Sequence, residues 1–177
     1  MVVDTKLAIL LVALFYIVVP VLIMFLIKNK KTLFIVSSVF AVLFLMLVFV
    51  MTQFDVSIGK SVVTVYPSFN GEWFNKTIHI SMMYGGIRDV VTNSLMLIPI
   101  GGYIVIYTDT FGKKYGFVKA LLLGIVLGFL AEALQFILPA DRCVQLRDVV
   151  LNALSAGVGY IIYYVILKIR NKLYKIN

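Results

Sequence analysis

Apolar segments of about twenty residues, separated by short basic clusters, leave this chain few folds to choose from. They run from Leu7 to Ile27, Leu33 to Met51, Asp89 to Tyr107, Val118 to Leu138 and Asp148 to Leu167. Each matches the twenty or so helical residues that cross roughly 30 Å of hydrocarbon. A water-soluble domain could not cover a chain of 177 residues that is 62% hydrophobic, with a mean hydropathy of +1.05. The expected fold class is all-α. Residues 1–177 form a single polytopic membrane domain with about five transmembrane helices.

The basic residues predict an orientation. Lys28, Lys30 and Lys31 separate the first two segments, Lys113, Lys114 and Lys119 precede the fourth, and Lys168, Arg170, Lys172 and Lys175 follow the fifth. Five crossings put all of them on one side, opposed there only by Asp109. By the positive-inside rule the N-terminus is outside and the C-terminus cytoplasmic. The net charge of +8 is accounted for by this distribution, which excludes a nucleic-acid partner. The first segment lacks a small-residue cleavage site and reads as a membrane span rather than a signal peptide.

Thr52–Arg88 is then an external loop. Val62–Tyr66, ending at Pro67, is β-branched and predicts an extended stretch. Trp73–Tyr84 mixes aromatic and aliphatic residues with Asn75, Lys76 and His79, which predicts an interfacial helix anchored by Trp73 and Phe74. His79, the only histidine, has no second ligand at metal-binding spacing, and Cys143, the only cysteine, forms no internal disulfide.

Two segments begin with nearly the same words, Arg88-Asp89-Val90-Val91-Thr92-Asn93 and Arg147-Asp148-Val149-Val150-Leu151-Asn152. In each the Asp suits the positive end of a helix dipole, and the Asn, four residues on, lies a turn deeper on the same face. An amide at that depth is costly unless it is hydrogen-bonded. In the fourth segment Gly124, Gly128 and Glu132 share one face, so close approach of a neighbouring helix turns Glu132 inward, with Gln135 nearly beside it. Pro20, and Pro99 with Gly101-Gly102, predict kinks. All these polar groups fall in the external halves of their helices. Asp89, Asn93, Glu132, Gln135, Arg142, Asp148 and Asn152 are therefore candidates for one polar, ligand-binding pocket at the outer membrane face, with Arg142 or Arg147 as counter-charge.

An Asn-containing third segment, then Ile98-Pro99-Ile100-Gly101, Glu132-x-x-Gln135-Phe136, Arg142, Asp148 and Asn152, resembles the VanZ-like family of bacterial membrane proteins, over roughly Asp89 to Tyr160. The family's name-giving member is associated with resistance to the glycopeptide antibiotic teicoplanin. The resemblance implies a role at the cell envelope, in the bacterial cytoplasmic membrane, and brings no catalytic residues with it. Gln145 stands where the family commonly has an acidic residue, and Ser155 where it commonly has glycine. The first departure removes a carboxylate and weakens any metal-site reading.

Three functional readings follow. The pocket binds the polar part of an amphipathic molecule, a lipoglycopeptide antibiotic or a lipid-linked wall precursor, whose tail stays among membrane lipid. Arg142 would take a phosphate or carboxylate, and Glu132 and Asp148 amines or sugar hydroxyls. Alternatively, Glu132 and Asp148 serve as acid and base of an intramembrane enzyme acting on a lipid or wall precursor. In the third reading the polar set only locks helices together. No cofactor or metal is expected in any of them.

Overall fold

The computed structural model describes residues 2–4, 18–52, 54–58, 62–67, 78–79, 87–137 and 144–175. The described residues form six helices: α1 (Val19–Leu26), α2 (Lys30–Thr52), α3 (Ile87–Met96), α4 (Ile98–Phe111), α5 (Gly116–Ile137) and α6 (Leu146–Tyr174). Four stretches are long and apolar enough to cross a membrane: Lys30–Val48, Asn93–Phe111, Gly116–Leu134 and Leu146–Tyr174. They correspond to the second to fifth expected spans. Most of the first, Leu7–Ile27, lies outside the described residues. Rows of exposed apolar side chains, such as Leu122, Val126 and Phe129 on α5 and Leu154, Val158 and Ile161 on α6, face outward. Water would not tolerate so much contiguous apolar surface, whereas lipid does. The protein is a multi-pass membrane protein.

Local sequence explains where the helices start and stop. Asn29 caps α2 by accepting the Thr32 N–H at 3.1 Å. Pro20 and Pro99 lie in the first turns of α1 and α4, where a missing N–H leaves no gap. The third expected span is thus two helices broken at Leu97 (φ −103°, ψ 14°). The sequence predicted a kink at Pro99 with Gly101-Gly102. The break falls two residues earlier, and the glycines serve packing. At the far end of α4, Gly112 adopts φ 59° and donates its N–H to the Thr108 carbonyl, a left-handed cap that costs glycine little.

Helix α6 is the hub, packing on α5, α4 and α3 and reaching α1. Backbone-to-backbone approach makes this possible. A Cβ at Gly101 would strike the Ala156 carbonyl and the Tyr160 nitrogen, and one at Gly159 would strike the Ile98 carbonyl. On the α5 side, a Cβ at Gly124 would lie 2.7 Å from Ala153 Cα, and one at Gly128 3.0 Å from Val149 Cα. Small residues at crossings are how helices associate where lipid removes the usual hydrophobic drive. Two buried clusters then fill the bundle along α6, one around Met24, Val105 and Tyr163, the other around Phe44, Leu97 and Ala156.

At the lysine-rich end, α6 closes α1. The Arg170 guanidinium, fully buried, donates to the carbonyls of Met24, Ile27 and Lys28, and the Tyr174 hydroxyl donates to the Phe25 carbonyl at 3.0 Å. These are the orphan acceptors of a helix C-terminus, and a cation there also suits the dipole. In the sequence Arg170 was only one charge among several. Its neighbour Asn171 donates to Asp109 at 3.4 Å, and Asp109 also meets Lys30 at 3.5 Å.

The other end carries short extended segments. β1 (Val2–Asp4) and β2 (Phe54–Ile58) both pair antiparallel with β3 (Val62–Pro67), with Val3 opposite Val63. The extended stretch expected at Val62–Tyr66 is β3. Because β1 precedes the first apolar segment and β3 follows α2, their pairing puts the N-terminal strand on the same side as the Thr52–Arg88 loop. β4 (Ile78–His79) runs parallel to β5 (Val144–Gln145). An interfacial helix over Trp73–Tyr84 would include Ile78 and His79; these two are extended, their backbone partnered by β5 instead. The rest of that stretch lies outside the described residues.

Candidate functional site

The junction where α5 ends and α6 begins gathers the polar groups. Gln145, the N-cap of α6, is extended (φ −129°, ψ 117°), and its own side chain does not cap the helix. Its backbone N–H donates to Glu132 Oε2 at 2.7 Å. In a capping box a glutamate inside the same helix binds the N-cap N–H. Here the glutamate comes from the preceding helix, α5. Glu132 is only 5% exposed, so its charge is held by a charge-assisted bond and by the positive end of the α6 dipole.

The glycine face sets this geometry. Gly124 and Gly128 press α5 against α6, and Glu132 continues that face one turn on, opposite the start of α6. Asn152 lies a turn below. A Cβ at Gly128 would sit 3.3 Å from the Asn152 Cβ, and Asn152 is 1% exposed. Arg147, also buried, donates from Nε to Asp148 Oδ1 at 3.2 Å. Ser155, one turn further along α6, accepts the Leu97 N–H at 2.9 Å, satisfying a donor at the α3–α4 break.

Three buried polar atoms here lack a hydrogen bond among the described residues, one of them Nη2 of Arg147, whose Nε is bonded to Asp148. Asn152 Oδ1 and Gln145 Oε1 are buried and accept no hydrogen bond among the described residues. An unmet buried acceptor costs about 1–3 kcal/mol, so a site that only locked helices would not be expected to keep two within one junction.

The candidate residues fall into three groups. Glu132, Asp148 and Asn152 are brought to this junction. Asn93 is half-buried on α3, which packs along α6. Arg142 lies outside the described residues, as do the side chains of Asp89 and Gln135, although their backbones belong to α3 and α5. The repeated start signal corresponds to two helix starts, α3 at Ile87 and α6 at Leu146. Of the two arginines suggested as counter-charge, Arg147 meets a carboxylate here.

Sequence reasoning left out Gln145 and Ser155. Gln145 contributes through its main chain, which no residue pattern reports. Ser155 stood out in the sequence only as a departure from the glycine the family commonly has there. Pairing of β4 with β5 also sets the His79 backbone beside Gln145, a proximity invisible across the intervening residues. Among the described residues, no group of three or more His, Cys, Asp or Glu side chains could hold a metal ion.

A family model described as VanZ/LLP1 matches residues 7–168. No curated protein and no solved structure matches the chain. The match runs from the first apolar segment to the end of the fifth and takes in the whole junction just described. The chain belongs to the VanZ/LLP1 family.

Proposed function

We propose that the protein binds the polar part of an amphipathic envelope molecule at the α5–α6 junction, at the outer face of the bacterial cytoplasmic membrane, and does no chemistry on it. Teicoplanin-class lipoglycopeptides and lipid-linked wall precursors have the required form, a hydrophilic head on an acyl or prenyl tail. Resistance to such an antibiotic would then follow from capture. The carrying observation is a set of buried polar atoms that have no hydrogen bond among the described residues, the acceptors Asn152 Oδ1 and Gln145 Oε1 and the donor Arg147 Nη2, at the junction that also buries Glu132. The outer placement rests on the lysines and Arg170 at the opposite end of the bundle.

Binding of a fluorescent lipoglycopeptide to the protein in nanodiscs tests this reading. Glu132→Gln and Asn152→Leu should each weaken capture about tenfold or more, as expected for losing a charge-assisted or buried hydrogen bond. Capture by the double variant at wild-type affinity would refute it.

One observation favours the structural reading. The Glu132–Gln145 bond joins two helices at 2.7 Å, so part of what Glu132 does is architectural. The two readings separate at Glu132→Gln, which keeps an acceptor oxygen but removes the charge. A folded variant of normal thermal stability that no longer captures ligand belongs to a binding site.

A further inference from the structure

We infer that the lysine-rich end of the bundle binds an anionic phospholipid, with Lys168 on its phosphate and a column of aromatic rings beside its glycerol. The column stands where the C-terminal half of α6 meets the start of α5. Lys168 Nζ lies over the Tyr164 ring, 4.7 Å from its centre. Tyr164 stacks on Tyr160 (5.9 Å, 13°), and Tyr160 meets Phe117 of α5 edge-on at 6.1 Å. A Cβ at Gly116 would strike the Tyr160 hydroxyl, so glycine there lets that ring close against α5. An ammonium has three N–H donors, and a ring face occupies only one side of it. Lys168 is exposed, which leaves its other side for a phosphodiester.

Charge leaves this ammonium to an outside anion. Asp109 is the only acidic side chain among the basic clusters at this end. It is held by Lys30 at 3.5 Å and by Asn171 at 3.4 Å. Among the described residues, Lys168 meets a ring and no carboxylate. Lys113 and Lys114, exposed in the turn before Gly116, add positive charge on the α5 side of the column. Lys28 over Tyr174 (5.2 Å) and Lys119 over Tyr107 (5.8 Å) repeat the cation–ring pairing more loosely.

The surface below the rings fits the rest of a phospholipid. Toward the middle of the bilayer, exposed Ile161 and Val158 continue the α6 face as apolar surface. The order along α6 is therefore cation, tyrosines, aliphatic side chains. A phospholipid presents phosphate, glycerol esters and acyl chains in the same order. Tyrosine suits the middle level, where its ring is apolar and its hydroxyl wet.

Native mass spectrometry of the protein released from nanodiscs of equimolar dioleoyl phosphatidylglycerol and dioleoyl phosphatidylcholine tests the inference. The two lipids share their tails, so the ratio retained on the protein reads the headgroup. Wild type should retain about fivefold more phosphatidylglycerol, and Lys168→Gln should remove most of that excess. Lys168→Arg should keep it. Tyr164→Leu, which keeps the surface apolar but takes away the ring under the ammonium, should lower the excess about twofold or more. Lys31→Gln removes one exposed positive charge from the same end, on α2, and should leave the ratio unchanged. Equal losses in Lys168→Gln and Lys31→Gln would overturn the site, marking attraction spread over the whole basic surface. Equal retention of the two lipids by wild type would overturn it too, as would a wild-type ratio in Tyr164→Leu.

Discussion

The Glu132 carboxylate receives the Gln145 backbone N–H at 2.7 Å, across a separation of thirteen residues. One bond therefore fixes where α5 stops relative to where α6 starts. Glu132→Ala removes the acceptor and leaves the N–H in a part-buried junction, a loss of about 1–3 kcal/mol. Glu132→Gln keeps an oxygen at the same reach and should cost less than about 1 kcal/mol. Thermal unfolding in nanodiscs should rank the proteins wild type, Gln, Ala. Equal melting of the alanine variant and wild type would mean the bond does not hold the junction.

The glycines divide into two kinds with different costs. Gly159→Ala and Gly101→Ala would drive a methyl group into the backbone of the facing helix, at Ile98 and at Ala156–Tyr160. Neither neighbour can turn aside, so α4 and α6 must separate, and overpacking of this kind costs about 1–3 kcal/mol or more. At Gly112 a Cβ meets nothing within 4 Å, and only the positive φ of 59° opposes it. Gly112→Ala should cost roughly 1–2 kcal/mol, from the left-handed backbone alone. Yield of folded protein after detergent extraction should fall clearly for the first two and little for the third.

What could be read from the sequence follows from what the membrane penalises. Arg88-Asp89 and Arg147-Asp148 mark the starts of α3 and α6 because charges are driven toward the ends of spans. Gly124, Gly128 and Glu132 disclose their shared face because helical spacing is local. Partner identity is not local. That Gly159 meets Ile98 depends on which helices become neighbours, and no pattern within either segment states it. The role of Arg170 was hidden for a related reason: rules for basic clusters treat every cation alike, whereas here one folds back to cap α1. The Glu132–Gln145 bond uses a main-chain donor, which every residue but proline has and which therefore carries no sequence signal.

Pairing of β1 with β3 makes a prediction about topology. Val3 and Val63 are direct antiparallel partners, so their Cα atoms lie within about 4.5–5.5 Å, the range a disulfide bridges. A Val3→Cys, Val63→Cys protein, with Cys143→Ser to remove the native thiol, should cross-link under mild oxidant in intact membranes. In the reduced protein, a membrane-impermeant thiol reagent added to whole cells should block cross-linking if this face is external. A failure to cross-link would separate the N-terminal strand from the loop.

At the opposite end, two cation contacts look alike on paper and should behave differently. Lys30 meets Asp109 at 3.5 Å with both side chains about a quarter exposed (27% and 26%). Exposed pairs of this kind are worth about 0–1 kcal/mol, so Lys30→Ala should barely move the melting temperature. Arg170 is fully buried and donates to the carbonyls of Met24, Ile27 and Lys28. Arg170→Met preserves much of the side-chain volume but strips those acceptors of a charged donor, at roughly 1.5–3 kcal/mol for each bond lost without replacement by water. Arg170→Lys should recover only part of the loss, because one ammonium on a flexible stem cannot reproduce the planar fork. Thermal melts of the three variants should therefore fall in the order Lys30→Ala, Arg170→Lys, Arg170→Met. If Arg170→Met melts with Lys30→Ala, water replaces the guanidinium freely and α6 does not clamp α1.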